Sequence, residues 1–182
     1  MKKSLISMAA ILFAALMTTT TFTSCGDDDD EPKKAELIKA VVKYTVTSDA
    51  ETLGLFKVNV YGTDAAGTVF EETMSNPSYT KTVEIPVSKL PCTVELYTKS
   101  TALEDKAATE DFGVSMESNI DVTTVRSDNT VVDNKEQTDN WWGTKFSAGT
   151  SLSEFAQTYM NSHTKLVMYV DANGNITDLT KK

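Results

Sequence analysis

Apolar and polar residues alternate through most of the chain after residue 36, and this period of two limits what the chain can fold into. Every second residue is apolar across 37–47, and the pattern recurs in 56–60 and 92–96. Successive side chains of a strand point to opposite faces, so the alternation describes strands with one buried face. Each such strand needs a second layer against which that face packs.

Turn residues separate the strand-like segments, which favours antiparallel pairing over a βαβ arrangement. We predict strands over 37–47, 56–60, 68–74, 82–87, 92–97, 112–125, 131–132, 165–170 and 176–179. Pro86 cannot donate to a ladder, so it marks an edge strand or a strand end. A turn is predicted at 49–53 and a loop at 98–109. The predicted fold class is mostly β, an antiparallel β-sandwich.

One segment, 151–163, has a helical period. Ser151 and Glu154 fit a capping box, in which the serine accepts from the amide of residue 154 and the glutamate reaches back. Apolar residues then recur at helical spacing, at Leu152, Phe155, Ala156, Tyr159, Met160 and His163. This stripe predicts one C-terminal helix that packs on an edge or end of a sheet. Asn173-Gly174 is a type I′ turn signal and predicts a terminal β-hairpin.

The first 24 residues have the composition of a secretory signal peptide. Lys2 and Lys3 form a short positive segment, and Leu5 to Met17 is apolar and uncharged. A transmembrane helix needs about 20 apolar residues, so this segment is too short to span a bilayer. We assign 1–24 to a signal peptide, 25–34 to a tether and 35–182 to a single β-sandwich domain.

The end of this leader, Phe22-Thr23-Ser24-Cys25, resembles the lipobox of bacterial lipoprotein signals. Ser24 and Cys25 match the usual pattern, whereas Phe22 stands where an aliphatic residue is usual. The resemblance implies that Cys25 is lipidated and becomes the first mature residue. Two or three acyl chains anchor a protein stably, because each buried CH₂ contributes about 0.8 kcal/mol. The alternative is an unmodified cysteine at an ordinary cleavage site.

An acidic run follows the cysteine and consists of Asp27, Asp28, Asp29, Asp30 and Glu31. Like charges in a run repel one another and stay solvated, so the run is predicted to be a spacer. With Cys25-Gly26 it also looks like the export signal of Bacteroidota surface lipoproteins. That resemblance implies the outer face of the outer membrane, with the periplasmic face as the alternative. The segment 90–96 is similar to the immunoglobulin-like modules of such lipoproteins, which implies an immunoglobulin-like sandwich.

Charge and cysteine content limit the partners. The chain has a formal charge of −9, and removing a leader with two lysines and no acid leaves −11. Nucleic acids and anionic lipid surfaces need clustered Lys and Arg, so neither is an expected partner. With Cys25 lipidated, Cys92 has no disulfide partner. It is predicted to be a small buried residue, with a reactive thiol as the alternative.

Trp141-Trp142-Gly143 is the most suggestive binding motif. Neighbouring strand residues face opposite ways, so both indoles cannot enter one core. An exposed indole stacks on a sugar ring, which makes Trp141 and Trp142 candidate ligand-binding residues. The alternative is one core tryptophan beside a partly covered neighbour.

No catalytic residue, cofactor or metal site is predicted. His163 is the sole histidine, and the sequence has no Gly-x-Ser-x-Gly motif and no phosphate-binding glycine loop. The segment 171–175 begins like a calcium loop. However, Ile176 and Lys182 stand where that loop needs glycine and glutamate.

These features predict a non-enzymatic lipoprotein, anchored in the outer membrane, that acts as a surface binding or adhesion module. A glycan is one ligand class. The alternative is a structural accessory lipoprotein that holds another envelope protein in a complex and binds no small molecule.

Replacing Cys25 by serine removes the acceptor for the lipid. We expect the Cys25→Ser variant to leave the membrane fraction or to remain unprocessed, because no other segment is predicted to hold the chain on a bilayer. Immunoblots of membrane and soluble fractions measure this, with Cys92→Ser as the matched control. A processed Cys25→Ser variant that stays in the membrane fraction would contradict the lipoprotein prediction.

Overall fold

The computed structural model describes residues 35–163 and 165–180, apart from the side chain of Trp142. The strands are β1 (Leu37–Ser48), β2 (Phe56–Thr63), β3 (Val69–Thr73), β4 (Ser78–Pro86), β5 (Cys92–Ala102), β6 (Phe112–Arg126), β7 (Val131–Phe146), β8 (Leu166–Val170) and β9 (Ile176–Asp178). The helices are α1 (Ala50–Leu55) and α2 (Leu152–Thr158). Short 3₁₀ helices lie at Val87–Lys89 and Met160–Ser162.

The strands form two sheets in which hydrogen-bonded neighbours are antiparallel. The first sheet has the order β4-β1-β6-β7, and the second has the order β3-β2-β5-β8-β9. The predicted mostly β sandwich, with a C-terminal helix and a terminal hairpin, is confirmed. Pro86 is the last residue of β4, which is an edge strand as expected.

The strand order matches an immunoglobulin-like sandwich with one rearrangement. In that fold, strands A, B and E are neighbours in one sheet, and C′, C, F and G are neighbours in the other. Strands β1 to β5 occupy the positions of B, C, C′, E and F, and β8 occupies that of G. The long β6–β7 hairpin is inserted before β8, and β6 takes the place of strand A.

The core between the sheets is built from the alternating apolar residues. The inward residues of β1 have no exposed surface, namely Ala40, Val42, Tyr44 and Val46. Inward residues of both sheets join them in one cluster, which includes Val58, Val94, Ile120 and Met168. The buried Tyr44 hydroxyl donates to the carbonyl oxygen of Thr63 at 2.8 Å, so this polar group is satisfied across the two sheets.

Two segments that alternation did not identify have regular structure. The predicted turn at 49–53 is the start of α1, where the Asp49 side chain caps the helix by accepting from the amide of Thr52 at 2.7 Å. The predicted loop at 98–109 is strand up to Ala102. Thr98 and Ser100 point inward and are 7% and 1% exposed. Because these inward residues carry hydroxyls, this part of β5 does not alternate between apolar and polar residues, and the strand was not predicted there.

Strand β7 and helix α2 also differ from expectation. A short strand was predicted at 131–132, but β7 continues to Phe146. Its polar side chains pair with those of β6, as when Asn134 Nδ2 donates to Asp121 and Thr123. Helix α2 ends at Thr158, and the 3₁₀ helix continues it. Tyr159 is 54% exposed, although it lies in the predicted apolar stripe.

Three hairpin loops share one design, at 64–68, 126–130 and 171–175. Each has a left-handed residue in its fourth position: Gly67, Asn129 and Gly174. In the last loop the amide of Gly174 donates to the carbonyl oxygen of Asp171, and Asn173 is not left-handed, so the predicted type I′ turn is wrong. Side-chain hydrogen bonds from Thr68, Thr130 and Asn175 lower the pKa of Asp64, Asp128 and Asp171 respectively.

A β-bulge interrupts the pairing of β6 with β7. Val114 pairs with Thr144 and Met116 pairs with Trp141, so two residues of β7 oppose Ser115 alone. Gly143 adopts a left-handed φ of 70°, and its amide donates to Ser115 Oγ at 3.0 Å. The extra residue shifts by one position the alternation of β7 side chains between the two faces of the sheet. Trp141 and Phe146 therefore both join the apolar cluster next to α2.

Replacing Gly143 by alanine forces a Cβ into the left-handed region, where an L-residue costs about 1–2 kcal/mol. We expect the free energy of unfolding to fall by that amount. Gly113→Ala is the control, because Gly113 lies on β6 with no positive φ and a Cβ there would meet Glu51 at an ordinary 3.6 Å. Urea denaturation of both variants measures the difference. If the two substitutions lowered the free energy of unfolding equally, Gly143 would not be needed for the left-handed conformation of the bulge.

Candidate ligand-binding site

Helix α2 closes one end of the sandwich over a second apolar cluster, and we call this region the helical end. Its buried residues are Phe56, Phe112, Val114, Leu152, Phe155, Ala156 and Met160. Phe155 lies at the centre, because its ring centroid is within 6.0 Å of five other aromatic rings, those of Phe56, Phe112, Trp141, Phe146 and Tyr159. The helical end is therefore held together by aromatic packing.

Hydrogen bonds attach the segment after α2 to the second sheet. The Asn161 side chain accepts from the Ser100 amide at 2.6 Å and donates to the Ser100 carbonyl at 3.1 Å. It thus pairs with β5 as a neighbouring strand would. This contact attaches the 3₁₀ helix to β5.

Trp141, a predicted ligand-binding residue, lies at the edge of this cluster and is half-buried. Its ring centroid is 6.0 Å from that of Phe155 and 4.3 Å from that of His163. His163 Nδ1 lies 3.1 Å from Asp139 Oδ2. Trp142 follows in β7, and its side chain lies outside the described part of the structure. The indole-binding hypothesis for both tryptophans stays a prediction.

An open groove runs along α2 beside Tyr159. It has a volume of about 310 Å³ and is lined by Gly149, Thr150, Ser151, Glu154, Phe155, Thr158 and Tyr159. Tyr159 contributes an exposed ring, which rests on the Phe155 ring with centroids 5.4 Å apart. An aromatic wall with hydroxyl and carboxylate groups beside it suits a ligand that has both apolar and hydrogen-bonding surface.

Sequence reasoning missed this groove because it assigned Tyr159 to the buried stripe of the helix. Tyr159 keeps the spacing of the stripe, since its amide donates to the Phe155 carbonyl oxygen at 2.9 Å as in an α-helix. Met160 is nevertheless buried and Tyr159 is exposed, a difference that helical spacing does not predict. A tyrosine near the end of an apolar stripe is the one signal that the sequence offered, since tyrosine carries a polar tip suited to solvent.

A second cavity, of about 240 Å³, lies on the other side of Leu152. Its floor is apolar and includes Leu55, Phe112 and Leu152. Glu51 stands at its rim and accepts a hydrogen bond from the amide of Gly113 at 3.1 Å. This carboxylate therefore ties α1 to β6.

Groups with catalytic or metal-binding chemistry are dispersed in the described residues. No cluster of three or more His, Cys, Asp or Glu residues that could hold a metal ion occurs among them. Asp171, from the rejected calcium-loop pattern, accepts from the amides of Asn173 and Asn175 within its own loop. Cys92 is a free, half-buried cysteine, and burial raises the pKa of its thiol, which disfavours the reactive thiolate.

Cys25 and the acidic run from Asp27 to Glu31 lie outside the described residues. Within the described part of the chain, no helix is long and apolar enough to cross a membrane. Comparisons with protein families, curated proteins and solved structures found no match.

The two aromatic residues at this end should contribute differently to stability. We expect Trp141→Ala to lower the free energy of unfolding by about 2 kcal/mol, because its ring packs against Phe155 and His163. Tyr159→Ala should cost less than about 1 kcal/mol, because half of that side chain is in solvent. Urea denaturation of both variants tests this. A larger loss for Tyr159→Ala would contradict the assignment of Tyr159 as a surface residue.

Proposed function

We propose that this protein is a lipid-anchored module of the outer membrane that binds glycans through the groove beside Tyr159. One observation carries the proposal. Tyr159 presents an exposed aromatic ring, held in place from behind by Phe155, in a groove with polar side chains. A rigid exposed ring supplies contact area at low conformational-entropy cost, which a weakly apolar ligand such as a sugar requires.

The polar residues of the groove complement this ring. Thr150, Ser151 and Thr158 carry hydroxyls, and Glu154 carries a carboxylate. A pyranose has apolar C–H faces and hydroxyls at its rim, so it matches an aromatic surface with hydrogen-bonding groups beside it. The charge of −11 on the mature chain supports a neutral or cationic ligand over a nucleic acid.

The proposed location follows from the leader. Cys25 would carry the acyl chains, and the acidic run would direct the protein to the outer face of the outer membrane. The tether of 25–34 spans at most roughly 35 Å when fully extended. The tether would therefore keep the start of the domain close to the cell surface, as an adhesion or glycan-capture module requires.

The proposed role is binding without catalysis. His163, the sole histidine, is engaged by Asp139 and by the ring of Trp141 rather than facing the groove. The groove lining contains one carboxylate, that of Glu154. Hydrolysis of a glycosidic bond ordinarily uses two carboxylates, one on each side of the bond. The groove residues therefore support binding of a glycan and not its hydrolysis.

A glycan array probed with the full chain tests the proposal, in a polyoxyethylene detergent that carries no sugar. We expect binding to a subset of glycans, and Tyr159→Ala should weaken it at least tenfold through loss of the stacking surface. Tyr97→Ala is the matched control, because Tyr97 stacks on Tyr61 on the outer face of the second sheet, away from the groove.

Two outcomes would overturn the proposal. One is the absence of any bound glycan for a folded protein. The other is glycan binding that survives Tyr159→Ala but is lost in Trp141→Ala or Trp142→Ala, which would move the site to the tryptophans.

A further inference from the structure

Glu154 occupies the position from which a capping-box glutamate reaches back to the start of its helix. Half of that box is present, since the amide of Glu154 donates to Ser151 Oγ at 3.3 Å. The returning bond from the Glu154 carboxylate does not form. The helix start is held by another part of the chain.

The loop before β6 pairs with the segment that leads into α2. Ala107 and Ser151 form an antiparallel bridge, and the amide of Ala108 donates to the carbonyl oxygen of Thr150 at 2.8 Å. The amide of Leu152, at the first position of the helix, donates to the Lys106 carbonyl oxygen at 3.1 Å. This tertiary pairing satisfies the first amide of the helix, while the Glu154 carboxylate makes no bond to the helix start.

The available carboxylate borders the groove. Among the described residues, no hydrogen bond or ion pair reaches the Glu154 side chain, which is exposed. Thr158 follows at i+4 on the same side of α2, and both residues line the groove with Tyr159. The described lining contains no lysine, arginine or histidine to neutralise this charge.

We infer that Glu154 determines which glycans the groove accepts. Sugars that bear an amine bind most tightly, neutral sugars bind less tightly, and acidic sugars bind most weakly. This inference rests on the proposed glycan-binding function. A carboxylate forms charge-assisted hydrogen bonds with an ammonium group, ordinary ones with hydroxyls, and repels a uronate or a sulfate. The Tyr159 ring adds a further attraction for a cation over its face.

The test uses matched oligosaccharides on gluco-, galacto- and manno-backbones, each with a hydroxyl, an amine or a carboxylate at one position. Dissociation constants are measured for the full chain in the same detergent. On any backbone that binds, we expect the amine form to bind about threefold to tenfold more tightly than the hydroxyl form, and the carboxylate form to bind more weakly by a similar factor. The differences should shrink at high salt.

Glu154→Gln removes the charge and keeps the shape of the side chain. It should bring the three forms within about twofold of one another while the hydroxyl form still binds. Glu36→Gln is the control, since it removes the same charge from an exposed residue just before β1, and it should preserve the order. This control separates a local effect of Glu154 from the net charge of the chain.

The possible failures are distinguishable. If no oligosaccharide of any form binds, the proposed glycan-binding function fails. If oligosaccharides bind with equal affinity in the three forms, or if Glu154→Gln leaves their order unchanged, the role of Glu154 is overturned and glycan binding stands.

Discussion

The β-bulge of β7 controls which side chains reach the helical end. Strand geometry alternates strictly, so Trp141 and Phe146 would face opposite sides of an unbroken strand. The left-handed Gly143 inserts one residue opposite Ser115, and both aromatic side chains then join the cluster beneath α2. Phe155 packs against that cluster, and Tyr159 rests on Phe155. The exposed ring of the groove thus depends on a change of register one strand away.

The two ends of the sandwich are built differently. One end carries hairpins whose aspartates satisfy their own loop amides, as Asp64 and Asp171 do, so these loops use their polar groups internally. At the helical end, α2 is capped in part by the backbone of Lys106, and its acidic residue Glu154 has no such internal use. A polar side chain that the fold does not need is available for a ligand. This difference, together with the exposed ring of Tyr159, is the reason for proposing the binding surface at the helical end.

Much of the fold was predictable from alternation, and the exceptions have local causes. β1 and the terminal hairpin follow the pattern because their inward residues are apolar, such as Val42 and Ile176. Strand β5 was cut short in the prediction because Thr98 and Ser100 face inward, where small hydroxyls read as polar. The groove was less predictable, because Tyr159 shares the spacing of the buried Met160. Its exposure depends on which side chains from other segments cover the end of the helix, and helical spacing carries no information about them.

The sequence by itself determined the β class, the antiparallel pairing and the position of the C-terminal helix, because a period of two or of 3.6 residues must bury one face. It also contains the predicted leader and Cys25, on which the proposed membrane anchoring depends. Only the tertiary structure decided that Trp141 is half-buried against His163, that Tyr159 is exposed, and that the Glu154 side chain makes no bond to its own helix. Those outcomes depend on contacts between segments that are far apart in the chain, such as Lys106 with Leu152 and Ser100 with Asn161. A local sequence pattern contains no information about such contacts.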